Sequence, residues 1–313
     1  MTSSFDIVVL IPCYNEAATI VDVVTQFKKV LPNCTLYVYD NASTDNTASI
    51  AMKAGAVVKH EENRGKGNVV RRMFADIDAD IYVMVDGDNT YDANRAPELI
   101  QVLIDRQLDM VVGSRQEKSH VDKNAIYRFG HRIGNQFFSY LIAKLFGRQF
   151  QDVFSGYRVF SRRFVKSFPA MSHGFDIETE LTIHSLELRL PTAEIPTAYG
   201  ARPQGSTSKL NSYKDGFKIL MRIFLLLKST RPLLFFTSIF IVLFMISILL
   251  FTPVFIDYLH TGLVARFPTA ILSASVMLLA FLSLGCGLIL DNVCHARREM
   301  KRLFYLGLTR FKR

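Results

Sequence analysis

Two aspartates separated by a glycine, Asp86-Gly87-Asp88, follow the apolar run at 81–85. Two carboxylates at the end of a strand can hold a divalent cation and leave coordination positions for the oxygens of a diphosphate. An Asp-x-Asp pair alone is a weak signal, because Asp and Gly are common in turns. Its place directly after an apolar run, and ahead of Asn89-Thr90-Tyr91-Asp92, favours a metal site.

Polar clusters also follow three other predicted strands. The first strand ends in Pro12-Cys13-Tyr14-Asn15-Glu16, the second in Asp40-Asn41-Ala42-Ser43-Thr44-Asp45, and the third runs into Asn63-Arg64-Gly65-Lys66-Gly67. Each cluster alone has a structural explanation as a turn or loop, and Ser43 or Thr44 is placed to cap the following helix. Four clusters at successive strand ends indicate a shared binding site.

The first 115 residues alternate short β-branched runs with helical stretches. Strands are predicted at 7–11, 36–39, 56–59, 80–85 and 110–113, and helices near 16–30, 45–54, 67–76 and 94–106. This alternation predicts an α/β fold with a mostly parallel sheet covered by helices. Ligands of such sheets bind beyond the carboxyl ends of the strands, where the polar clusters lie.

Other nucleotide and metal sites are disfavoured. Gly65-Lys66-Gly67 lacks the third glycine of the dinucleotide fingerprint and follows the third strand instead of the first. The sequence has no GxxxxGK[ST] motif. Its four cysteines form no CxxC pair or His-spaced cluster, which argues against a zinc module and a disulfide framework and favours a reduced, cytosol-facing chain.

The net charge of +9 comes from the last third of the chain. Residues 1–201 carry 22 basic and 24 acidic side chains, whereas residues 202–313 carry 15 basic and 4 acidic ones. A nucleic-acid-binding protein spreads its basic residues over a recognition surface. The confinement of the positive charge to an apolar region therefore argues against a nucleic-acid partner.

Two uncharged runs, 233–256 and 267–290, are each long enough to cross a membrane, since about 20 apolar residues suffice. Residues 257–266 join them, which predicts a transmembrane hairpin. Basic residues flank its outer ends, so the positive-inside rule places both chain ends in the cytoplasm. No signal peptide is expected at the N-terminus, because the apolar run at 7–11 is too short.

One amphipathic helix is expected at the membrane surface, and a second segment is a candidate. Lys214, Lys218 and Arg222 form a basic stripe in the segment before the first span, which is typical of a helix in the headgroup plane. For a second helix near 124–146, core packing and membrane contact are equally plausible. The predicted division is a cytoplasmic catalytic domain at 1–210, a juxtamembrane helix at 211–231, two spans within 232–296 and a basic tail at 297–313.

Several of these motifs resemble those of family 2 glycosyltransferases with the GT-A fold. The resemblance rests on 11–16, on Asp40 to Asp45 and on Asp86-Gly87-Asp88. The segments Val112-Gly113-Ser114-Arg115, Asp152-Val153-Phe154-Ser155-Gly156-Tyr157-Arg158 and 202–209 resemble a narrower branch, which contains dolichol-phosphate mannose synthases and bacterial polyprenyl-phosphate glycosyltransferases. The resemblance covers residues 5 to about 210.

The resemblance implies an enzyme of the bacterial cytoplasmic membrane that transfers a sugar from a nucleotide sugar to a polyprenyl phosphate; a UDP-linked donor is favoured and a GDP-linked donor is the alternative. It also implies a homo-oligomer. Asp86 and Asp88 would bind Mg²⁺ or Mn²⁺, and Asp152, Asp88 and Arg115 would be catalytic. The implied nucleotide-sugar-binding residues are Pro12, Tyr14, Asn15, Glu16, Asp40, Ser43, Asp45, Lys66, Asp86, Gly87 and Asp88. The implied acceptor phosphate-binding residues are Arg115, Arg128, Arg132, Ser155, Arg202, Ser208 and Lys209.

Asp152 is expected to orient the sugar rather than act as a base. Glu178 and Glu180 would orient the same wall of the site, or lie at an exposed helix start, where acidic residues favour the helix dipole.

Three alternatives differ in their predictions. A processive polysaccharide synthase would carry a QxxRW motif, and this chain has no tryptophan. A transferase acting on another lipid, such as diacylglycerol, would have the same kind of donor site but would bind a different acceptor. A non-catalytic membrane scaffold would bind no nucleotide sugar.

Overall fold

The computed structural model describes residues 5–117, 150–174, 176–200 and 228–311. They belong to two compact units. The first contains the described residues up to 200 together with 301–311, and the second contains 228–300. The sequence-based division into four segments stays a prediction. The two predicted amphipathic helices fall largely outside the described residues.

The first unit is built on a seven-stranded mixed sheet with the strand order β3-β2-β1-β4-β6-β5-β7. The pairs β1–β2, β1–β4, β2–β3 and β5–β7 are parallel, and β6 runs antiparallel to β4 and β5. The mostly parallel sheet confirms the predicted α/β class. The strands are β1 (Ile7–Cys13), β2 (Thr35–Asp40), β3 (Val57–His60), β4 (Ile81–Met84), β5 (Met110–Glu117), β6 (Arg158–Ser161) and β7 (Thr192–Tyr199).

Helices connect these strands. They are α1 (Ile20–Val30), α2 (Thr47–Lys53), α3 (Lys66–Asp76), α4 (Ala96–Asp105), α5 (Arg162–Ser167) and α6 (Ile177–Glu187), with a 3₁₀ turn at Ala93–Arg95 before α4. All five strands and four helices predicted before residue 116 are present, with ends shifted by a few residues. The sequence did not predict β6, β7, α5 or α6.

The predicted cap of α2 was wrong. The helix begins at Thr47, and the carboxylate of Asp45 accepts the Thr47 amide at 3.0 Å. The Ser43 hydroxyl instead accepts the Asn15 amide at 3.0 Å, and the Thr44 hydroxyl contacts the Asn15 side chain. The polar side chains of this loop therefore tie the end of β1 to the end of β2.

The central strands explain why the polar clusters meet. Five of the seven residues of β1 and every residue of β4 are buried, as is typical of parallel strands covered on both faces. Because β1, β2 and β4 are parallel, their carboxyl ends lie at one edge of the sheet. The loops that follow these three strands are thereby brought together.

The second unit consists of two long apolar helices, α7 (Pro232–Thr261) and the part of α8 (Phe267–Leu306) up to residue 300. Both are long and apolar enough to cross a membrane, and little of either is buried within the protein, unlike the core helices of a soluble protein. The Ser247 hydroxyl donates to the carbonyl of Ser273 at 2.8 Å, and the Ser283 hydroxyl donates to that of Phe236 at 3.1 Å. These bonds hold the helices together as a candidate membrane-spanning hairpin.

Residues 301–311, which we call the C-terminal segment, contact the sheet of the first unit. The Tyr305 hydroxyl donates to the buried carboxylate of Asp109 at 2.5 Å, and Lys301 pairs with Glu187 at 3.0 Å. Asp109 directly precedes β5 and also accepts a bond from the Ser161 hydroxyl at the end of β6. The segment therefore joins the edge of the sheet opposite to the carboxyl ends of β1, β2 and β4.

The helix hairpin depends on a close approach at Gly287. A Cβ atom at this position would lie 2.8 Å from the Cβ of Phe236, whereas nothing lies within 4 Å of a Cβ at Gly285. We expect Gly287→Ala to lower the stability of the hairpin by about 1–2 kcal/mol, because overpacking forces the helices apart. The matched Gly285→Ala variant should unfold like the wild type in thermal melts in detergent. Equal melting temperatures for all three proteins would contradict this packing.

His184 on α6 makes stability depend on pH. Burial, together with the smaller effect of the Lys301 charge, lowers the pKa of His184 to about 3. Between pH 3 and about pH 6.5 the unfolded chain binds more protons at this residue than the folded chain does. The contribution of His184 to the free energy of unfolding is therefore complete above pH 6.5 and decreases as the pH falls. When the pH is lowered from 7 to 4, the free energy of unfolding of the wild type should decrease by about 3 kcal/mol more than that of His184→Gln. Parallel pH profiles in thermal unfolding would contradict this assignment.

Candidate active site

The Asp86-Gly87-Asp88 loop packs against the loop after β1. A Cβ at Gly87 would lie 2.6 Å from the Cys13 sulfur, and the Gly87 carbonyl accepts the Thr19 hydroxyl at 2.7 Å. Asp88 is buried, and its Oδ1 accepts the Thr90 hydroxyl at 2.6 Å. Only a residue without a side chain fits between the two aspartates here.

The backbone of Gly156 approaches the Asp86 carboxylate closely. A Cβ at Gly156 would lie 2.3 Å from Oδ2 of Asp86. The Gly156 amide donates to the Tyr91 hydroxyl at 2.9 Å, and the Ser155 hydroxyl donates to the carbonyl of Gly113 at 2.6 Å. The segment at 152–158 thus lies against the aspartate loop. Ser155, predicted to bind the acceptor phosphate, is buried in this contact.

Lys66, the first residue of α3, pairs with two carboxylates. Its ammonium contacts Oδ1 of Asp86 and lies 2.5 Å from Oε1 of Glu178. Burial alone would lower the pKa of Lys66, but the charges of Asp86 and Glu178 outweigh burial and raise the pKa above its ordinary value. Lys66 is therefore a permanent cation at the centre of the site.

The site is strongly acidic. Burial raises the pKa of the Cys13 thiol, and the nearby charges of Glu16, Asp40, Asp86 and Asp88 raise the pKa further. All four carboxylates lie near the carboxyl ends of β1, β2 and β4. Asp40 and Asp88 are buried and Glu16 and Asp86 are partly exposed, and such a concentration of negative charge favours the binding of cations.

Asp86 and Asp88 fit a divalent cation that is shared with a substrate. No group of three or more His, Cys, Asp or Glu side chains that could hold a metal occurs in the part of the chain that the structure describes. Mg²⁺ is commonly bound by one or two carboxylates together with substrate phosphates and waters. The oxygen donors at the end of β4 match this pattern.

Asp40, at the end of β2, carries a buried oxygen that its neighbours leave unused. Its Oδ2 accepts the Ser43 amide at 3.2 Å and lies 3.5 Å from Nδ1 of His60. Its Oδ1 is buried and has no hydrogen-bond partner among the described residues. An unsatisfied buried acceptor is costly, so this oxygen is suited to a donor group of a ligand.

The other residues predicted to bind the nucleotide sugar shape the same edge. Pro12 is part of β1, and the Glu16 amide donates to the Thr47 hydroxyl at 2.9 Å. The Arg64 guanidinium lies 5.4 Å from the centre of the Tyr14 ring. Asn15, Ser43 and Asp45 make the loop contacts described above.

Arg115 and Asp152 form a bidentate ion pair. The Arg115 Nε and Nη2 atoms lie 2.6 and 2.7 Å from the two Asp152 oxygens, and the Arg115 amide donates to Oδ2 at 3.1 Å. Glu194 on β7 accepts the amides of Gln151 and Asp152, at 2.9 and 3.1 Å. Asp152 is therefore held in a fixed orientation.

Two contributors to the site, Asn41 and Arg158, were not predicted from the sequence. The Asn41 side chain donates to the carbonyls of Glu61 and Asn63 and accepts the Gly65 amide at 2.7 Å, which fixes the loop before Lys66. The fully buried guanidinium of Arg158 donates to the carbonyls of Ser155 and Val153. Glu178 was expected to orient a wall of the site or to lie at an exposed helix start; the structure buries it beside Lys66. No local pattern could have revealed these contacts, because their partners are distant in the sequence or belong to the backbone.

Five predicted acceptor residues lie outside the described residues. They are Arg128, Arg132, Arg202, Ser208 and Lys209.

Residues 8–168 match the family model for glycosyl transferase family 2. The chain belongs to this family. It is 35% identical over 232 residues to the glycosyltransferase AglJ of Haloferax volcanii, covering 74% of this chain and 75% of the relative. It is 27% identical over 214 residues to a dolichyl-phosphate hexose transferase of the same organism, covering 68% of this chain and 90% of the relative.

The fold of this family 2 chain resembles a solved glycosyltransferase structure. Glucosyl-3-phosphoglycerate synthase of Mycobacterium tuberculosis, crystallised with Mn²⁺, UDP and glucosyl-3-phosphoglycerate, superposes with a TM-score of 0.58 at 24% identity. The match covers 72% of this chain and 80% of that one. This likeness confirms the GT-A type of fold.

Gly156 tests the geometry around Asp86. We expect Gly156→Ala to reduce sugar transfer at least about tenfold, because displacing a charge-stabilising group costs more than about 1.4 kcal/mol in the transition state. The same substitution at Gly200, where a Cβ would lie 3.7 Å from the nearest atom, should change the rate less than about twofold. Initial rates and melting temperatures should be measured together. A folded Gly156→Ala protein with the wild-type rate would contradict this contact.

Proposed function

We propose that this chain transfers a sugar, with inversion, from a UDP-linked donor to a polyprenyl phosphate. One observation carries the proposal: a glycosyl transferase family 2 chain gathers Asp40, Asp86 and Asp88 at one sheet edge and also has two helices long enough to span a membrane. The first feature suits a nucleotide diphosphate with a cation. The second suits an acceptor that resides in a bilayer.

On the donor side, the unused Asp40 oxygen would accept a hydrogen bond from the nucleoside, and Lys66 would face the diphosphate. Asp86 and Asp88 would hold Mg²⁺ or Mn²⁺. A divalent cation bound there would stabilise the negative charge of the departing diphosphate. The relevant support is the acidic character of the site and the Mn²⁺ and UDP in the solved neighbour.

On the acceptor side, the nucleophile needs little activation. A phosphate monoester has a second pKa near 6 and is already largely dianionic at neutral pH. The enzyme must mainly align a phosphate oxygen with the anomeric carbon. The bidentate bond from Arg115 to Asp152 supports an orienting role for Asp152 rather than a role as a base. In-line attack on an α-linked donor gives a β-linked product.

A polyprenyl phosphate keeps its tail in the bilayer and its charged head at the surface. A catalytic unit attached to a membrane hairpin would search for this acceptor in two dimensions, with basic residues attracted to anionic headgroups by about 1 kcal/mol each. We assign the hairpin to a bacterial cytoplasmic membrane with both chain ends inside. Arg128, Arg132, Arg202, Ser208 and Lys209 remain the proposed ligands of the acceptor phosphate. A homo-oligomer is part of the same proposal.

The decisive experiment incubates the purified chain with UDP- and GDP-sugars, Mn²⁺ and either undecaprenyl phosphate or diacylglycerol. Released nucleotide and radiolabelled lipid are measured. We expect transfer to the polyprenyl phosphate, with a UDP-sugar preferred. Transfer to diacylglycerol alone would contradict the acceptor, and calorimetry without any metal-dependent binding of a nucleotide sugar would favour a scaffold.

Asp88→Ala tests the metal assignment. The variant should lose transfer by more than about a hundredfold while remaining folded, because the departing diphosphate would lose the charge stabilisation that a bound cation supplies. Asp105→Ala, which removes an exposed carboxylate on α4, is the matched control and should retain the wild-type rate. Full turnover by a folded Asp88→Ala protein would exclude the metal assignment.

A further inference from the structure

Lys66 lies between a proposed metal ligand and a second carboxylate. Its side chain is 10% exposed, and those of Asp86 and Glu178 are 26% and 6% exposed. An ammonium group has three donors, so it can serve both partners at once. The three groups together carry a net charge of −1.

The fold holds Glu178 against Lys66 through tight backbone contacts. The Gly67 amide donates to the Gly174 carbonyl at 3.1 Å, and a Cβ at Gly67 would lie 2.2 Å from the Ser172 carbonyl oxygen. Glu180 accepts the Met171 and Ser172 amides, at 3.0 and 2.8 Å. The start of α3 and the loop before α6 are therefore fitted to each other. These contacts keep the backbones that carry Lys66 and Glu178 close to each other.

A divalent cation at Asp86 would compete with Lys66. Two cations on one carboxylate repel each other, and the repulsion is strong where water is excluded. Lys66 therefore needs another partner when the cation binds. Glu178 already holds Lys66 with Oε1, and its Oε2 is buried without a hydrogen-bond partner among the described residues.

We propose that Glu178 is a positioning residue that retains Lys66 when Asp86 takes the divalent cation, so that Lys66 turns from Asp86 towards the diphosphate. In this exchange one buried cation replaces another on Asp86, and the displaced ammonium becomes a phosphate ligand. The inference rests on the proposed function. It adds a role for Glu178. It also adds a competition between Lys66 and the divalent cation for Asp86, which a merely structural ion pair would not produce.

The exchange predicts opposite effects for the two partners of the ion pair. Lys66→Met removes the competing cation, so Mn²⁺ should bind about tenfold more tightly in the absence of nucleotide, as expected when a unit charge a few ångströms away is removed. Glu178→Gln leaves Lys66 on Asp86 alone and should weaken Mn²⁺ binding about tenfold. The double variant keeps the net charge and should lie within about threefold of the wild type.

The experiment measures free Mn²⁺ by electron paramagnetic resonance during titration of the purified full-length chain in detergent. Calorimetry with UDP at saturating Mn²⁺ supplies a second readout, in which Lys66→Met should lose about tenfold in affinity, because a cation contacting phosphate is gone. Tighter metal binding with weaker nucleotide binding cannot result from misfolding. Glu98→Gln, which removes an exposed carboxylate on α4, is the control and should match the wild type.

The outcomes separate the two proposals. If the wild type binds no Mn²⁺ even with UDP, the proposed function fails. The exchange is supported if Mn²⁺ binds most tightly to Lys66→Met and most weakly to Glu178→Gln. The wild type and the double variant should then have similar, intermediate affinities. Any other order overturns the exchange and leaves the proposed function standing.

Discussion

Buried negative charge is the constraint on which the candidate site depends. A buried carboxylate is tolerated only when a cation or several hydrogen-bond donors compensate it. The first unit places Asp40, Asp86, Asp88, Asp152 and Glu178 near the carboxyl ends of its strands, and it provides Lys66 and Arg115 as cations. The ion pairs of Lys66 and Arg115 in this region compensate part of that negative charge.

Two different solutions to this constraint lie side by side. Asp152 is compensated completely, by a bidentate arginine and a backbone amide, which produces a rigid wall. Asp86 shares the Lys66 ammonium with Glu178, and Asp40 keeps a buried oxygen that has no donor within the part of the chain that the structure describes. The incompletely compensated groups are those assigned to the nucleotide and its cation. Ligand binding would complete a charge balance that the protein leaves open.

The sequence was sufficient for the elements whose signals are local. The strands β1 to β5 are apolar runs that end in polar clusters, and parallel pairing alone brings the ends of β1, β2 and β4 together. The metal-binding roles of Asp86 and Asp88, which the residue pattern and the family resemblance both indicate, stay a prediction. The spans of the hairpin followed from the length of two uncharged runs.

The remaining features depend on tertiary contacts. Strand β6 has only four residues, and its antiparallel place between β4 and β5 has no counterpart in the residue pattern. The meeting of Lys66 with Glu178 requires the loop before α6 to fit the two glycines at the start of α3. The α2 cap was misassigned because Ser43 and Thr44 have the right residue types but bond to Asn15 instead.

The C-terminal segment has a consequence for biosynthesis. Tyr305 and Lys301 contact Asp109 and Glu187, which both precede residue 200, and α7 and most of α8 lie between these partners in the sequence. Ribosomes deliver residues in order, and N-terminal domains generally begin to fold first. During translation, the hydrogen bond between Asp109 and Tyr305 can therefore form only after the apolar helices have been synthesised. The first unit therefore reaches its final form only after both apolar helices have been synthesised.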